Sequence, residues 1–195
     1  MAAGAFIGIV LSNLTVESIV SYRDYNTAEG GKGLSTAETA LVRGIFGNTV
    51  DTDGIRKHFD VPCNDGEVSF PACVTGGSRR HINFWAEYTH ADDYTGAHRG
   101  MFIHEMTHIW QNQNHLTLAQ HYLKACRIYD YELSDDSDFD DFCVEQQASI
   151  IEHYTNYVLY PSLWPPGLYK GSNKDSAVFN ARLIRVVEDK FPQAR

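Results

Sequence analysis

Basic residues are scarce in this chain: 16 Lys and Arg stand against 25 Asp and Glu, a net charge of −9 over 195 residues. Phosphate backbones and anionic bilayers attract the opposite balance. Arg79 and Arg80 are too few to make a local basic patch, so neither nucleic acid nor a membrane is an expected partner. Also lacking is an apolar run of the ~20 residues that a bilayer span requires. Ala2–Leu11 is apolar, but no Lys or Arg precedes it and no Ala-x-Ala pattern follows, so it does not fit a conventional secretory signal. It reads instead as a buried strand or a packed arm, and if the chain leaves its cell another route is expected. No cysteine pair has the CxxC spacing, which disfavours a cysteine-based zinc site. Of the four cysteines, Cys63 and Cys73 bracket a loop through Pro62, Gly66 and Pro71 that admits either a disulfide or two buried thiols; Cys126 and Cys143 decide nothing by spacing. There is no internal repeat.

What is present suits one folded domain. Apolar residues make up 43% and charged ones 21%, enough for a real core at this length. A glycine-rich joint at Glu29–Gly33 marks the clearest boundary, dividing an arm or linker (1–33) from a domain (34–195). Beyond it, Ser35 can cap a helix start while Glu38 reaches back to it, and that helix should run through Thr39–Phe46 and stop at Gly47. Residues 48–78 read as loops and short strands. Alternation of Ile82, Phe84, Ala86 and Tyr88 predicts a half-buried strand over His81–Tyr88. Pro161–Gly167 is a rigid connection, and Ala177–Asp189 predicts a final amphipathic helix that packs through Val178, Leu183 and Val187.

The informative stretch is Phe102-Ile-His-Glu-Met-Thr-His-Ile-Trp-Gln111. Phe102, Ile103, Met106, Ile109 and Trp110 recur at helical spacing and would bury one face, while His104, His108 and Gln111 share another. Imidazoles four residues apart on a helix can converge on one zinc ion at ~2.0–2.1 Å, with Glu105 beside the open coordination position. Zinc acidifies a bound water and polarises a carbonyl; a neighbouring carboxylate can take the water's proton and return it to the leaving amine. With 9 His and 10 Glu in the chain, chance yields about 0.02 such HExxH matches.

A third protein ligand is expected from a second helix, read over Phe142–Tyr154, whose packing stripe is Val144, Ala148, Ile151 and Thr155 and whose end is set by Pro161. Its other side carries Glu145, Ser149 and Glu152. Glu145 is preferred because it lies in the first turn, where the helix dipole favours a carboxylate; Glu152 is the competitor. His98 is the best substitute among the other histidines. A strand-like segment over Arg127–Leu133 and an acidic turn precede this helix. The run Ser134–Asp141 invites a calcium reading, but a twelve-residue calcium loop begun at Ser134 puts Phe139 where glycine must turn, so a solvated acidic loop is the better reading.

Phe102–Gln111, followed by Val-Glu-Gln-Gln-Ala at 144–148, resembles a bacterial zincin metallopeptidase group. Its members occur as the carboxy-terminal domain of VgrG-type spike proteins of type VI secretion, as polymorphic-toxin domains and as stand-alone Vgr-related proteins. The resemblance covers Leu34 to about Tyr157, including Leu34–Gly47, His81–Trp85 and Tyr129–Leu133. It implies zinc held by His104, His108 and Glu145 with Glu105 as general base and acid. It also implies a protein or peptide substrate, an antibacterial effector injected into the periplasm or cytoplasm of a target bacterium, loading on or fusion to a secretion spike, and a cognate immunity protein.

The expected architecture is α+β and zincin-like: two long active-site helices with a small, mostly antiparallel sheet. In that arrangement the strand around Asn83–Trp85 would pair with an extended substrate. Tyr129, Tyr131, His153 and Tyr154 are eligible to stabilise the attacked carbonyl. The competing function is a zincin-shaped binding or structural module in which the ion only joins two helices.

Overall fold

The computed structural model describes residues 31–61, 63–64, 69–70, 72–74, 78–84, 96–114, 128–161 and 177–194, all within the unit Gly31–Arg195. The arm expected over 1–33 lies outside them except for its last three residues, of which Lys32 exchanges backbone hydrogen bonds with Lys57.

Helix α1 (Thr36–Phe46) begins at the expected capping box. The Glu38 amide donates to Ser35 Oγ at 3.2 Å, and the Ser35 amide donates to the Glu38 carboxylate at 2.6 Å. It stops at Gly47, whose φ of 60° is left-handed and where a Cβ would meet the Gln193 side chain at 3.0 Å. The second oxygen of Glu38 accepts from Lys57 Nζ at 2.5 Å, a buried ion pair that ties α1 to the next element.

Five short strands follow: β1 (Arg56–His58), β2 (Cys63–Asn64), β3 (Ser69–Phe70), β4 (Ala72–Cys73) and β5 (His81–Phe84). β2 and β3 pair with each other, while the rest form a sheet in the order β1-β5-β4. β5 runs parallel to β1, with Lys57 opposite Ile82, and antiparallel to β4, with Cys73 opposite Asn83. The sheet is therefore mixed rather than mostly antiparallel, because the long connection from 59 to 80 lets the chain return and lay β5 beside β1 in the same direction. A disulfide joins Cys63 to Cys73, with Cα atoms 5.8 Å apart, which decides between the bridge and two thiols. Cys143 is disulfide-bonded too.

α2 (Gly96–Asn114) is the central element, and both its apolar face and the face of His104, His108 and Gln111 are covered: every residue from Phe102 to Asn112 is buried. Its apolar side meets α1, β5 and the final helix. Its polar side is covered by α3 (Val144–Tyr154), which supplies that side with polar partners and continues into a π-helical turn, Thr155–Leu159. The final helix, α4 (Ala177–Lys190), packs through Phe179, Leu183, Val186 and Val187; Val178 is 57% exposed, since Phe179 takes the inward slot expected of it. Just beyond α4, Phe191 sits in an aromatic knot, edge-on to Trp110 (5.0 Å between centroids), Phe46 (5.2 Å) and Phe139 (5.5 Å).

Two loop expectations change. The segment 128–133 is not a strand: it has no ladder partner among the described residues, and the Asp130 carbonyl instead accepts from Gln146 Nε2 of α3 at 2.7 Å. The acidic run, expected to be solvated, is partly claimed by α4. Arg182 donates to Asp135 (2.7 Å) and to the Leu133 carbonyl (2.9 Å), Arg185 to the Ser137 carbonyl (2.9 Å), and Lys190 to Asp140 (2.7 Å). Arg182 also draws the Asp135 carboxyl below its ordinary range.

Candidate metal centre

Three side chains from two helices converge. On α2, the i, i+4 spacing sets His104 and His108 on one face, their rings 5.1 Å apart and steeply inclined. From the first turn of α3, one oxygen of Glu145 lies 3.3 Å from Nε2 of each ring. One donor atom from each of the three residues lies within 4.8 Å of the others, and among the described residues no other group of three His, Cys, Asp or Glu does this. Two imidazole nitrogens and a carboxylate oxygen are a donor set that suits zinc and leaves a fourth position for another group.

The other nitrogens are engaged as well. His104 Nδ1 lies 3.1 Å from Glu152 Oε2, and His108 Nδ1 lies 2.8 Å from Gln111 Oε1. Glu152, the sequence competitor for third ligand, thus lies at the Nδ1 side of His104 and outside the three-donor cluster. His98, the substitute, is also outside it. Gln111 had been grouped with the histidines without a role, and its position three residues after His108 was the signal that it could reach that ring.

Glu105 is 6% exposed, and its Oε2 is buried with no hydrogen-bond partner. A native carboxylate is rarely left so, and the vacancy fits a group that engages only when water or substrate is present. Burial pushes its pKa up, opposed by the charges of His108 and His104 and reinforced by Glu145 and Glu152. Burial alone would lower His104, but hydrogen bonds to Glu145 and Glu152 and the charges of Glu152 and Glu105 push it up to about 10. His108 is raised against burial mainly by Glu145. Burial works to raise Glu145, yet the two imidazoles outweigh it and hold that carboxyl well below the usual range.

Of the four candidates for a carbonyl-stabilising donor, three are committed elsewhere. Tyr131 Oη is paired with His153 Nδ1 at 2.6 Å, and Tyr154 Oη donates to the Ala194 carbonyl at 2.6 Å. Tyr129 is 43% exposed with its ring 6.0 Å from that of His104. The expected substrate edge at Asn83 is not there: β5 is the central strand, paired on both sides at Asn83. Trp85 lies outside the described residues.

Fold and site together define an α+β domain in which a buried HExxH helix and a glutamate-bearing helix face one another across a three-donor centre. No known family profile matches the chain. It is 30% identical over 139 residues, 65% of its length, to the type VI secretion system spike protein VgrG2b of Pseudomonas aeruginosa, of which it spans 13%. Among solved structures it is similar to the effector domain of Pseudomonas aeruginosa VgrG2b, with a TM-score of 0.51 and 25% identity, covering 81% of this chain and 82% of that one. The chain is thus related to the effector portion of a VgrG spike protein, not to the spike as a whole.

Proposed function

We propose that this chain is a zinc-dependent metallopeptidase serving as an antibacterial effector of type VI secretion. The observation that carries the chemistry is the convergence of His104 Nε2, His108 Nε2 and Glu145 Oε2 beside the unpartnered carboxylate oxygen of Glu105. His104, His108 and Glu145 would hold the ion, which supplies an acidified water and a polarised carbonyl. Glu105 takes the proton of the attacking water at its free oxygen and returns it to the leaving amine; its raised affinity for a proton suits that relay. Tyr129, partly exposed and with its ring 6.0 Å from that of His104, can meet the substrate. The similarity to a VgrG2b effector domain supports delivery by a secretion spike into a target bacterium, and with it a protein or peptide substrate and a cognate immunity protein. The Cys63–Cys73 bridge favours the periplasm over the reducing cytoplasm as the place of action.

A purely structural ion, the competing function, would have no use for a buried carboxylate beside its ligands. Glu105→Gln should retain zinc and fold while cleavage falls by roughly 10²–10⁴-fold, and toxicity with it; His104→Ala should lose the metal. Full activity in the Glu105 variant would sink the peptidase reading.

A further inference from the structure

Which nitrogen each histidine turns toward the centre is decided by groups behind the rings. The Phe139 carbonyl can only accept, so Gln147 Nε2 must donate to it (3.1 Å), which turns Gln147 Oε1 toward Gln111. Gln111 Nε2 gives one proton to that oxygen (2.9 Å) and the other to the Val144 carbonyl (3.0 Å). With both amide protons used, Gln111 Oε1 faces His108 Nδ1 as an acceptor, and His108 must carry its proton there. On the other ring, the Glu152 carboxylate accepts from His104 Nδ1. Once each ring gives up its second proton, the lone pair is left on Nε2, the atom that faces Glu145.

We infer that Glu152 and Gln111, the latter aligned by Gln147, are positioning residues that fix both imidazoles as Nδ1-protonated tautomers with Nε2 aimed at the ion. This rests on the metal reading above. The Gln111 chain ends on carbonyls at Phe139 and Val144, the second adjacent to Glu145, so the network that orients His108 also registers the start of α3 against α2. Two ligands are thereby coupled through one pair of amides. The other arm is a single charged contact from the last turn of α3, and Glu152 adds a second carboxylate to the field at His104.

Outer partners of this kind are worth about 10–100-fold in metal affinity. The test measures zinc affinity of the full chain by competition with a chromophoric chelator, together with imidazole nitrogen NMR of the zinc form. In the wild type both rings should show a metallated Nε2 and a protonated Nδ1. Glu152→Ala should weaken zinc by about 10–100-fold with little change in the unfolding midpoint of the zinc-free protein. Glu152→Gln, whose amide oxygen can still accept, should recover most of the loss. Gln111→Leu strips two buried acceptors of their donor and risks the fold, so Gln147→Leu is the companion variant: it removes one of the two acceptors that hold the Gln111 amide in place and should weaken zinc through His108. Wild-type affinity in both Glu152→Ala and Gln147→Leu, or a ring metallated through Nδ1, would overturn the inference while leaving the metal reading intact. A wild type that takes up no zinc would overturn the metal reading and this inference with it.

Discussion

Glu38 carries two tasks with its two oxygens, closing the capping box of α1 with one and neutralising Lys57 with the other. Its side chain is wholly buried and that of Lys57 is 5% exposed, so removing one partner strands a charge away from water. Glu38→Ala should cost about 3–5 kcal/mol in denaturant unfolding. Adding Lys57→Met should recover part of that, whereas independent contributions would make the two losses add. A second pair, His58 and His81, lies 2.9 Å apart across β1 and β5. Burial lowers the pKa of both, and His81 is lowered further by the charges of His58, Arg56 and Arg80. Above the unfolded value of ~6.5 both states are neutral there and the pair adds no pH dependence. As pH falls through that value the unfolded chain takes up protons that the native pair resists, so stability declines until pH drops below the native values. Unfolding midpoints at pH 7.5 and 5.5 should therefore differ more in the wild type than in His58→Phe; equal slopes would remove the pair from the account.

Among the elements, those written in local chemistry were legible in advance. Ser35 and Glu38 announced α1, Gly47 its end, and the spacing of His104 and His108 put two imidazoles on one face, because caps and helical periodicity need only neighbours in sequence. Glu145 was reachable because it opens a helix. The sheet was not legible: that β5 lies between β1 and β4 depends on pairings across long connections, which leave no trace in the alternation of Ile82 and Phe84. For the same reason Asn83→Pro would break a central ladder rather than probe a substrate edge. That α3 meets the polar face of α2 followed from the need for a third donor, but how closely it covers that face did not, because α3 is 30 residues further along the chain, counting from Asn114 to Val144. The role of Phe191 was hidden too, since its partners come from α1, α2 and the turn before α3. Phe191→Ala opens a cavity among three rings and should cost about 3–5 kcal/mol, readable as a lowered urea midpoint. Loss of zinc affinity in that variant without loss of stability would contradict a purely packing role.

At the scale of the whole molecule, the centre is where charged and polar side chains of α2 and α3 meet. Three carboxylates, Glu105, Glu145 and Glu152, surround two imidazoles that burial alone would keep neutral. Without a cation, that arrangement favours protons on the rings; a divalent ion held as proposed by His104, His108 and Glu145 would compete for the same nitrogens and join the two helices. Zinc should then act as a ligand of the native state alone. At about 100 times its dissociation constant it would add ~2.7 kcal/mol, which for a chain of 195 residues corresponds to roughly 5–11 °C in melting temperature at 2–4 °C per kcal/mol. A chelator should reverse the shift, and lower pH should weaken it because protons compete for the same nitrogens. Glu145→Ala should lose most of the shift. Glu105→Gln should keep it, since that side chain is assigned to the proton and not to the ion. A Glu105 variant that lost the thermal shift along with its activity would make Glu105 a ligand, and the division of labour between Glu105 and Glu145 would have to be redrawn.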